Sequence, residues 1–371
     1  MKKNILKAVA MPAKLYGAPM ALAGANVGIQ LPLALFVQTF SDLNPIYFVF
    51  SLLSLQFLFI LLGLKEPHLS KLLEINGKSK RILIDKYATD NATVLFKDHS
   101  FMCFFDLSDA LNIRENSYAF MKYISEYKLN LRFINVMDIP YLILSGKQNR
   151  RLNISEIIQN TLTFFPNAQL LTKSSRVTPV DVIKSILNPI SSASAVVASN
   201  LSERSLLINE RKLLKKGVIQ FEQNGQKLYA SVFSLFKLNN VVDFDIIASF
   251  KQTYMVSSWV FPMSNKKAFF LFEQQRRMSR LTAPLSEKKF IEAMEQLEKG
   301  EIFCQYGVNV YLTASSVQQL EAKEKELLNT AKQYGLFFIK ETWHLPFAFY
   351  IGLPQYEATR RFTLPLSCLN I

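Results

Sequence analysis

Cysteine is scarce: Cys103, Cys304 and Cys368 are the only three in 371 residues. They lie far apart with no CxxC pair, which excludes a disulfide framework and a cysteine zinc site. They read as small buried hydrophobes in a reducing, cytoplasmic setting. Histidine is equally rare, and His68, His99 and His344 stand in unrelated contexts without the four-residue spacing of helical metal ligands. With so few imidazoles, a nucleophile paired with a histidine base is not expected either. No GxxxxGK[ST] phosphate loop, GxGxxG turn or GxSxG elbow occurs, so the chain lacks the usual cradles for a triphosphate or dinucleotide and the usual mount for a catalytic serine. No catalytic centre, cofactor site or metal site is expected. Glycine (12) and proline (14) are too sparse for a low-complexity or disordered chain.

What is present is hydrophobic and basic. Half of the residues are hydrophobic, 30 are phenylalanine, and the formal charge is +14. Such a chain can bury real cores, and its charge suits an acidic surface, whether anionic lipid or nucleic acid.

The stretch IYFVFSLLSLQFLFILLGL, residues 46 to 64, has no charged residue. As a helix it reaches about 28 Å, near the hydrocarbon thickness of a bilayer, which predicts a transmembrane span. A weaker apolar run precedes it, interrupted by Gly24, Asn26, Gly28, Gln30 and Pro32. The two runs predict a helical hairpin within residues 1–80, with spans at about 18–40 and 45–64. Asn26 and Gln30 share a helix face and are expected to bond inward, while Gly24 and Gly28 match the small-xxx-small spacing of close helix packing. Basic residues on both flanks place both termini on the cytoplasmic side of a bacterial inner membrane. A cleaved signal peptide is the rival reading of MKKNILKAVA, and Lys14 interrupts the apolar region that it would need.

Beyond residue 80 the pattern is mixed α+β, with two expected subdomains, 81–200 and 201–371. ATVLFKDHSFMCFFDLSD predicts a hairpin about Lys97, Asp98, His99 and Ser100, and GVIQFEQNGQKLYASVFSLF predicts another through a type I′ turn at Asn224-Gly225. ENSYAFMKYISEY and ISEIIQNTLTFF have helical character, and SSASAVVASN at 191–200 reads as a boundary loop. From Tyr254 onward the expected order is a strand (YMVSSWVF), a helix with Phe290, Ile291, Met294 and Leu297 on one face, a strand pair (IFCQYG and VNVYLTA), a helix capped at Ser316, and a strand (LFFIKETW). That order suits a two-layer sandwich of ferredoxin-like type. A similar grammar is hinted at between residues 92 and 145.

One charged cluster stands out. FEQQRRMSR puts Arg276, Arg277 and Arg280 within about one helical turn, either as a solvated face or as a docking patch for an acidic partner, since guanidinium groups suit carboxylate and phosphate.

These residues carry a resemblance. Residues 11 to about 75 resemble the two-span inner-membrane subunit of type IV secretion systems. From about residue 85 onward, ATDNATVLFKDHSFMCFFDLSD, SFKQTYMVSSWVFPM with FEQQRRMSR, and YGLFFIKETWHLPFAFYIGLPQYEATRRFTLP resemble the N-terminal region of the CagE/TrbE/VirB family of secretion ATPases. In that family a RecA-like motor bearing the phosphate loop follows the region matched by FTLPLSCLN, whereas this sequence stops at Ile371, so nucleotide hydrolysis is not carried over. Either the motor is encoded separately or the chain is a fragment. The resemblance implies a membrane-anchored, non-catalytic scaffold that docks the secretion ATPase, with the inner membrane, secretion ATPases and inner-membrane complex subunits as partners, within an oligomer. Two alternatives stand beside it: the front part of a split transport ATPase, and a basic nucleic-acid-binding protein of conjugative transfer.

Overall fold

The computed structural model describes residues 14–15, 18–40, 44, 46–65, 84–88, 92–96, 99–109, 117–147, 153–189, 210–214, 217–223, 225–238, 253–282, 284–342, 345–349 and 364–367. The chain divides into two compact units, residues 8–79 on one hand and residues 1–7 with 80–371 on the other.

In the smaller unit, strands β1 (Lys14–Leu15) and β2 (Ala18–Pro19) pair antiparallel ahead of helices α1 (Met20–Phe40) and α2 (Ile46–Lys65). Asn44 opens α2 by accepting the Ile46 N–H at its side chain, 3.0 Å, and the Tyr47 N–H at its carbonyl, 3.1 Å. The helical pair therefore forms where the apolar pattern predicts it. Its expected transmembrane character is overturned, because among the described residues no helix is long and apolar enough to cross a membrane. In α1 the apolar run is broken by two glycines, three side-chain amides and Pro32. The inner-membrane location with cytoplasmic termini rested on those spans and is corrected with them.

The larger unit is α+β. Its elements run β3 (Ile84–Ala88), β4 (Thr93–Phe96), β5 (Ser100–Asp106), α3 (Ser117–Glu126), β6 (Asn130–Val136), β7 (Ile139–Lys147), α4 (Ile154–Phe164), β8 (Gln169–Leu170) and α5 (Pro179–Leu187). Then come β9 (Glu210–Leu214), β10 (Val218–Gln223), β11 (Gln226–Leu238), β12 (Met255–Pro262), α6 (Asn265–Thr282), α7 (Pro284–Glu298), β13 (Phe303–Ala314), α8 (Val317–Gln333), β14 (Leu336–Lys340), α9 (Leu345–Ala348) and β15 (Leu364–Ser367).

Among the described residues these strands form one thirteen-stranded antiparallel sheet in the order β3-β4-β5-β7-β6-β12-β13-β11-β10-β9, with β8 beside β5, β14 beside β11 and β15 beside β13. That order is palindromic in topology. The meander β3-β4-β5 corresponds to β9-β10-β11, the pair β6 and β7 corresponds to β12 and β13, and β8 on β5 corresponds to β14 on β11. The halves meet where β6 pairs antiparallel with β12, from Met255 opposite Val136 to Val260 opposite Leu131. The topology thus places an approximate two-fold axis through the sheet between those strands. Within the first half, β5-α3-β6-β7-α4-β8 follows the strand-helix-strand-strand-helix-strand grammar.

Local chemistry explains the elements. The pairing of Gln223 with Gln226 leaves a two-residue loop in which Gly225 has φ +80°, as a type I′ turn requires; Asn224 lies outside the described residues. The β4–β5 hairpin closes with His99 at φ 60° and its N–H on Phe96 O at 3.0 Å. Asn153 and Ser316 cap the corresponding helices α4 and α8, each side chain accepting the N–H three residues on. At Ser316 the partner Gln319 turns its side chain to Ser315 Oγ, 2.7 Å, so the cap is half of a box. The loop expected at 191–200 lies outside the described residues.

The expected strand pair IFCQYG and VNVYLTA is a single strand, β13. Gly307 falls in its middle because the Trp259 ring lies over it from β12, and a Cβ there would sit 2.5 Å from Trp259 Cε2. Trp259 is buried, and the buried Arg132 of β6 faces its ring with Cζ 5.9 Å from the centroid. Arg132, Trp259 and Gly307 therefore form one cross-strand row that stitches the two halves together. One face of the sheet carries Met102, Phe104, Ile134, Val232, Met255 and Tyr311 in a core shared with α5 and α9.

Candidate docking surface

The two halves differ most at the link between their paired strands. β6 turns into β7 through Met137 and Asp138, at φ 50° and 67°, with Val136 paired to Ile139. The corresponding strands β12 and β13 are joined by residues 263–302, which fold into the antiparallel helices α6 and α7 packed on each other.

Sequence dictates this helical hairpin. Ser264 opens α6, its Oγ accepting the Lys267 N–H at 3.4 Å and its carbonyl the Ala268 N–H at 2.9 Å. Ala268 and Phe272, one turn apart, are fully buried, and the Phe272 ring packs edge-on against Phe303 at 4.9 Å between centroids. Phe290, Ala293 and Leu297 bury the facing stripe of α7. At its end Gly300 adopts φ +87°, with its N–H on Leu297 O at 3.1 Å and the Glu301 N–H on Gln296 O at 3.0 Å, the paired bonds of a Schellman stop.

The opposite face of α6 is open. Phe269 is 45% and Phe270 70% exposed, and Lys266 and Lys267 beside them are exposed as well. With Ser264 and Glu273 they line an open groove of about 510 Å³. Exposed phenylalanines beside lysines are a paired apolar and cationic surface, unlike the scattered single apolar residues that any protein surface carries.

The structure redistributes the arginine cluster. Glu273 accepts two bonds from Arg276, from Nε at 2.8 Å and Nη2 at 3.0 Å, and one from Arg277 Nε at 2.9 Å. These guanidinium bonds, Arg276 first and Arg277 second, hold the Glu273 carboxyl down at about 2. Arg276 also reaches Glu287 in the first turn of α7 at 3.8 Å, so it braces the hairpin internally. Arg277 keeps a side chain 76% exposed. Arg280 lies on α6, and its side chain falls outside the described residues. The lysines and phenylalanines of KKAFF complete the face that the arginines only flank. Their signal in the sequence was a lysine doublet separated by the single residue Ala268 from a phenylalanine doublet.

The other candidate residues sit in the smaller unit. Asn26 is buried, donating to Leu52 O at 3.1 Å and Gln56 Oε1 at 3.5 Å, and Gln30 Nε2 donates to Asn26 Oδ1 at 2.8 Å, so this amide pair bridges α1 to α2. Gly24 and Gly28 are exposed, and a Cβ at either meets nothing within 4 Å. They are not the close-packing points between the two helices.

Elsewhere, polar side chains serve the fold. Ser234, Asn309, Tyr311 and Glu341 are all buried. Ser234 Oγ bonds Glu341 Oε1 and lies 2.8 Å from Asn309 Oδ1, and Tyr311 Oη donates to Ala348 O at 2.8 Å, fastening the end of β14 and α9 onto β11 and β13. Cys103 and Cys304 are buried thiols, and burial pushes the Cys103 thiol up to about 12, which keeps it protonated and unreactive. His99 is an exposed turn residue, while Cys368, His68 and His344 lie outside the described residues. Among the described residues no group of three or more His, Cys, Asp or Glu is placed to hold a metal. No protein-family model matches the chain, and no curated protein matches it.

Proposed function

We propose that this chain is a non-catalytic assembly module of a type IV secretion system that docks the secretion ATPase through its α+β unit. The observation that carries this reading is the helical hairpin α6–α7, set into the second of two topologically corresponding halves of the sheet and presenting a basic, aromatic face. Two stretches that resemble the ATPase family, SFKQTYMVSSWVFPM and FEQQRRMSR, contain the strand β12 and part of the helix α6. A rigid sheet carrying one projecting helical element suits a docking part, because a preorganised surface loses little conformational entropy on binding. The test is crosslinking of the tagged full chain in cells that carry type IV secretion genes, followed by purification. Recovery of the secretion ATPase with the chain is expected; its consistent absence, with other secretion subunits also missing, would overturn the reading.

A further inference from the structure

We infer that the groove along the first turns of α6 receives an acidic, amphipathic segment of a partner protein, with apolar side chains seated on Phe269 and Phe270 and carboxylates meeting Lys266, Lys267 and Arg277. This inference rests on the docking function proposed above and names the surface and the chemistry of its occupant.

Three observations select that occupant. The groove is lined by Phe269 and Phe270 between Lys266, Lys267 and Glu273, and Phe270, at 70% exposed, is among the most exposed aromatic side chains of the larger unit's described residues. An apolar centre calls for apolar anchors, as in the desolvated middle of a protein interface. The rim is cationic: Lys266 and Lys267 line the groove and Arg277 lies exposed farther along α6, against the single acid Glu273 of that helix, and that acid is already held by Arg276 and Arg277. Its negative charge is thereby offset within the helix, and an incoming carboxylate meets net positive charge. A second copy of the chain would bring the same basic face to a two-fold contact and be repelled. A nucleic-acid strand requires a basic track continuing along the backbone with aromatic platforms between charges. Here the aromatic platform spans a single turn, and Glu273 sits in its wall. The partner segment docks as a helix in a groove, with anchors at spacings of three and four residues.

The test uses the full chain and a synthetic helical peptide with leucine on one face and glutamate on the other, read by fluorescence anisotropy. Its control has lysine in place of every glutamate. The glutamate peptide is expected to bind and the lysine peptide not to. The double variants Phe269→Ala/Phe270→Ala and Lys266→Glu/Lys267→Glu should each weaken binding at least tenfold while the circular dichroism spectrum stays unchanged. No binding of the glutamate peptide, or equal binding by wild type and both variants, overturns the proposal. So does preferential, salt-sensitive binding of oligo(dT) or of phosphatidylglycerol vesicles that the lysine double variant abolishes, since either assigns the face to another class of partner. If the secretion ATPase co-purifies equally with wild type and with both variants, the groove assignment falls and the assembly function stands. If the peptide results hold and no secretion subunit co-purifies, the assembly function falls and the groove assignment stands.

Discussion

The two halves of the sheet share one strand order along the main path and, beside the additional strand β15 on β13, differ most at one connection. Between β6 and β7 the chain reverses in two residues, whereas between β12 and β13 the same reversal takes the whole α6–α7 hairpin. The sheet needs only the short form, since β6 and β7 pair fully without any insertion. The longer connection therefore adds a surface to a framework that stands without it. Within that hairpin the division of labour is legible side chain by side chain. Phe272 faces inward against Phe303, while Phe270, two residues before it, faces out.

Phe272→Ala and Phe270→Ala separate those roles most sharply. Truncating the buried ring should cost about 3–5 kcal/mol, and truncating the exposed one should stay within about 0.5 kcal/mol, both read by urea denaturation. At the seam between the halves, Gly307→Ala drives a Cβ into Trp259 on a neighbouring strand and should destabilise by about 2 kcal/mol in the same assay. The caps at corresponding places, Asn153 before α4 and Ser316 before α8, should behave alike. Each should lose about 1 kcal/mol on replacement by alanine, and a marked inequality would show that the halves, though alike in topology, are unequal in stability. The short reversal holds Met137 at φ 50°, a region that glycine adopts without steric cost. Met137→Gly should accordingly be neutral or raise stability by about 0.5 kcal/mol.

The smallest expected effect is electrostatic. The Glu273 carboxyl is held at about 2 against an ordinary 4.5. A depressed carboxyl contributes fully above its ordinary value and loses that contribution as pH falls from about 4.5 toward 2. NMR titration of the side-chain carboxyl should show the low midpoint, and Arg276→Ala should move it up toward the ordinary value. No change is expected between pH 6 and 8.

The hairpins about His99 and Gly225 were legible in the sequence because local turn chemistry and alternating strands specify them. β13 was not, because a glycine in an apolar run signals a break, and its real cause, the Trp259 ring on a neighbouring strand, is non-local. The pairing of β6 with β12 joins segments more than a hundred residues apart, and no local pattern reports it. The capping box at Thr178 and Asp181, where Asp181 Oδ2 takes the Thr178 N–H at 3.0 Å, is a local signal in VTPVD that went unread. At the candidate docking surface, charge revealed the arginines but not that Glu273 engages Arg276 and Arg277. The exposure of the phenylalanines of KKAFF was not legible, since which side of a helix packs inward is decided by the sheet that it meets. The helical pair near the N-terminus was legible from its apolar runs, but its expected passage through a bilayer was not upheld. The amides that interrupt α1 are turned instead toward α2, where Asn26 bonds Leu52 O.

Hydrogen exchange on the full chain, alone and with the purified secretion ATPase, tests the contrast between the two connections directly. The docking account predicts new protection concentrated in residues 264–277 and none at the 136–139 turn. Unchanged exchange across 264–277, with protection appearing elsewhere on the sheet, would contradict it.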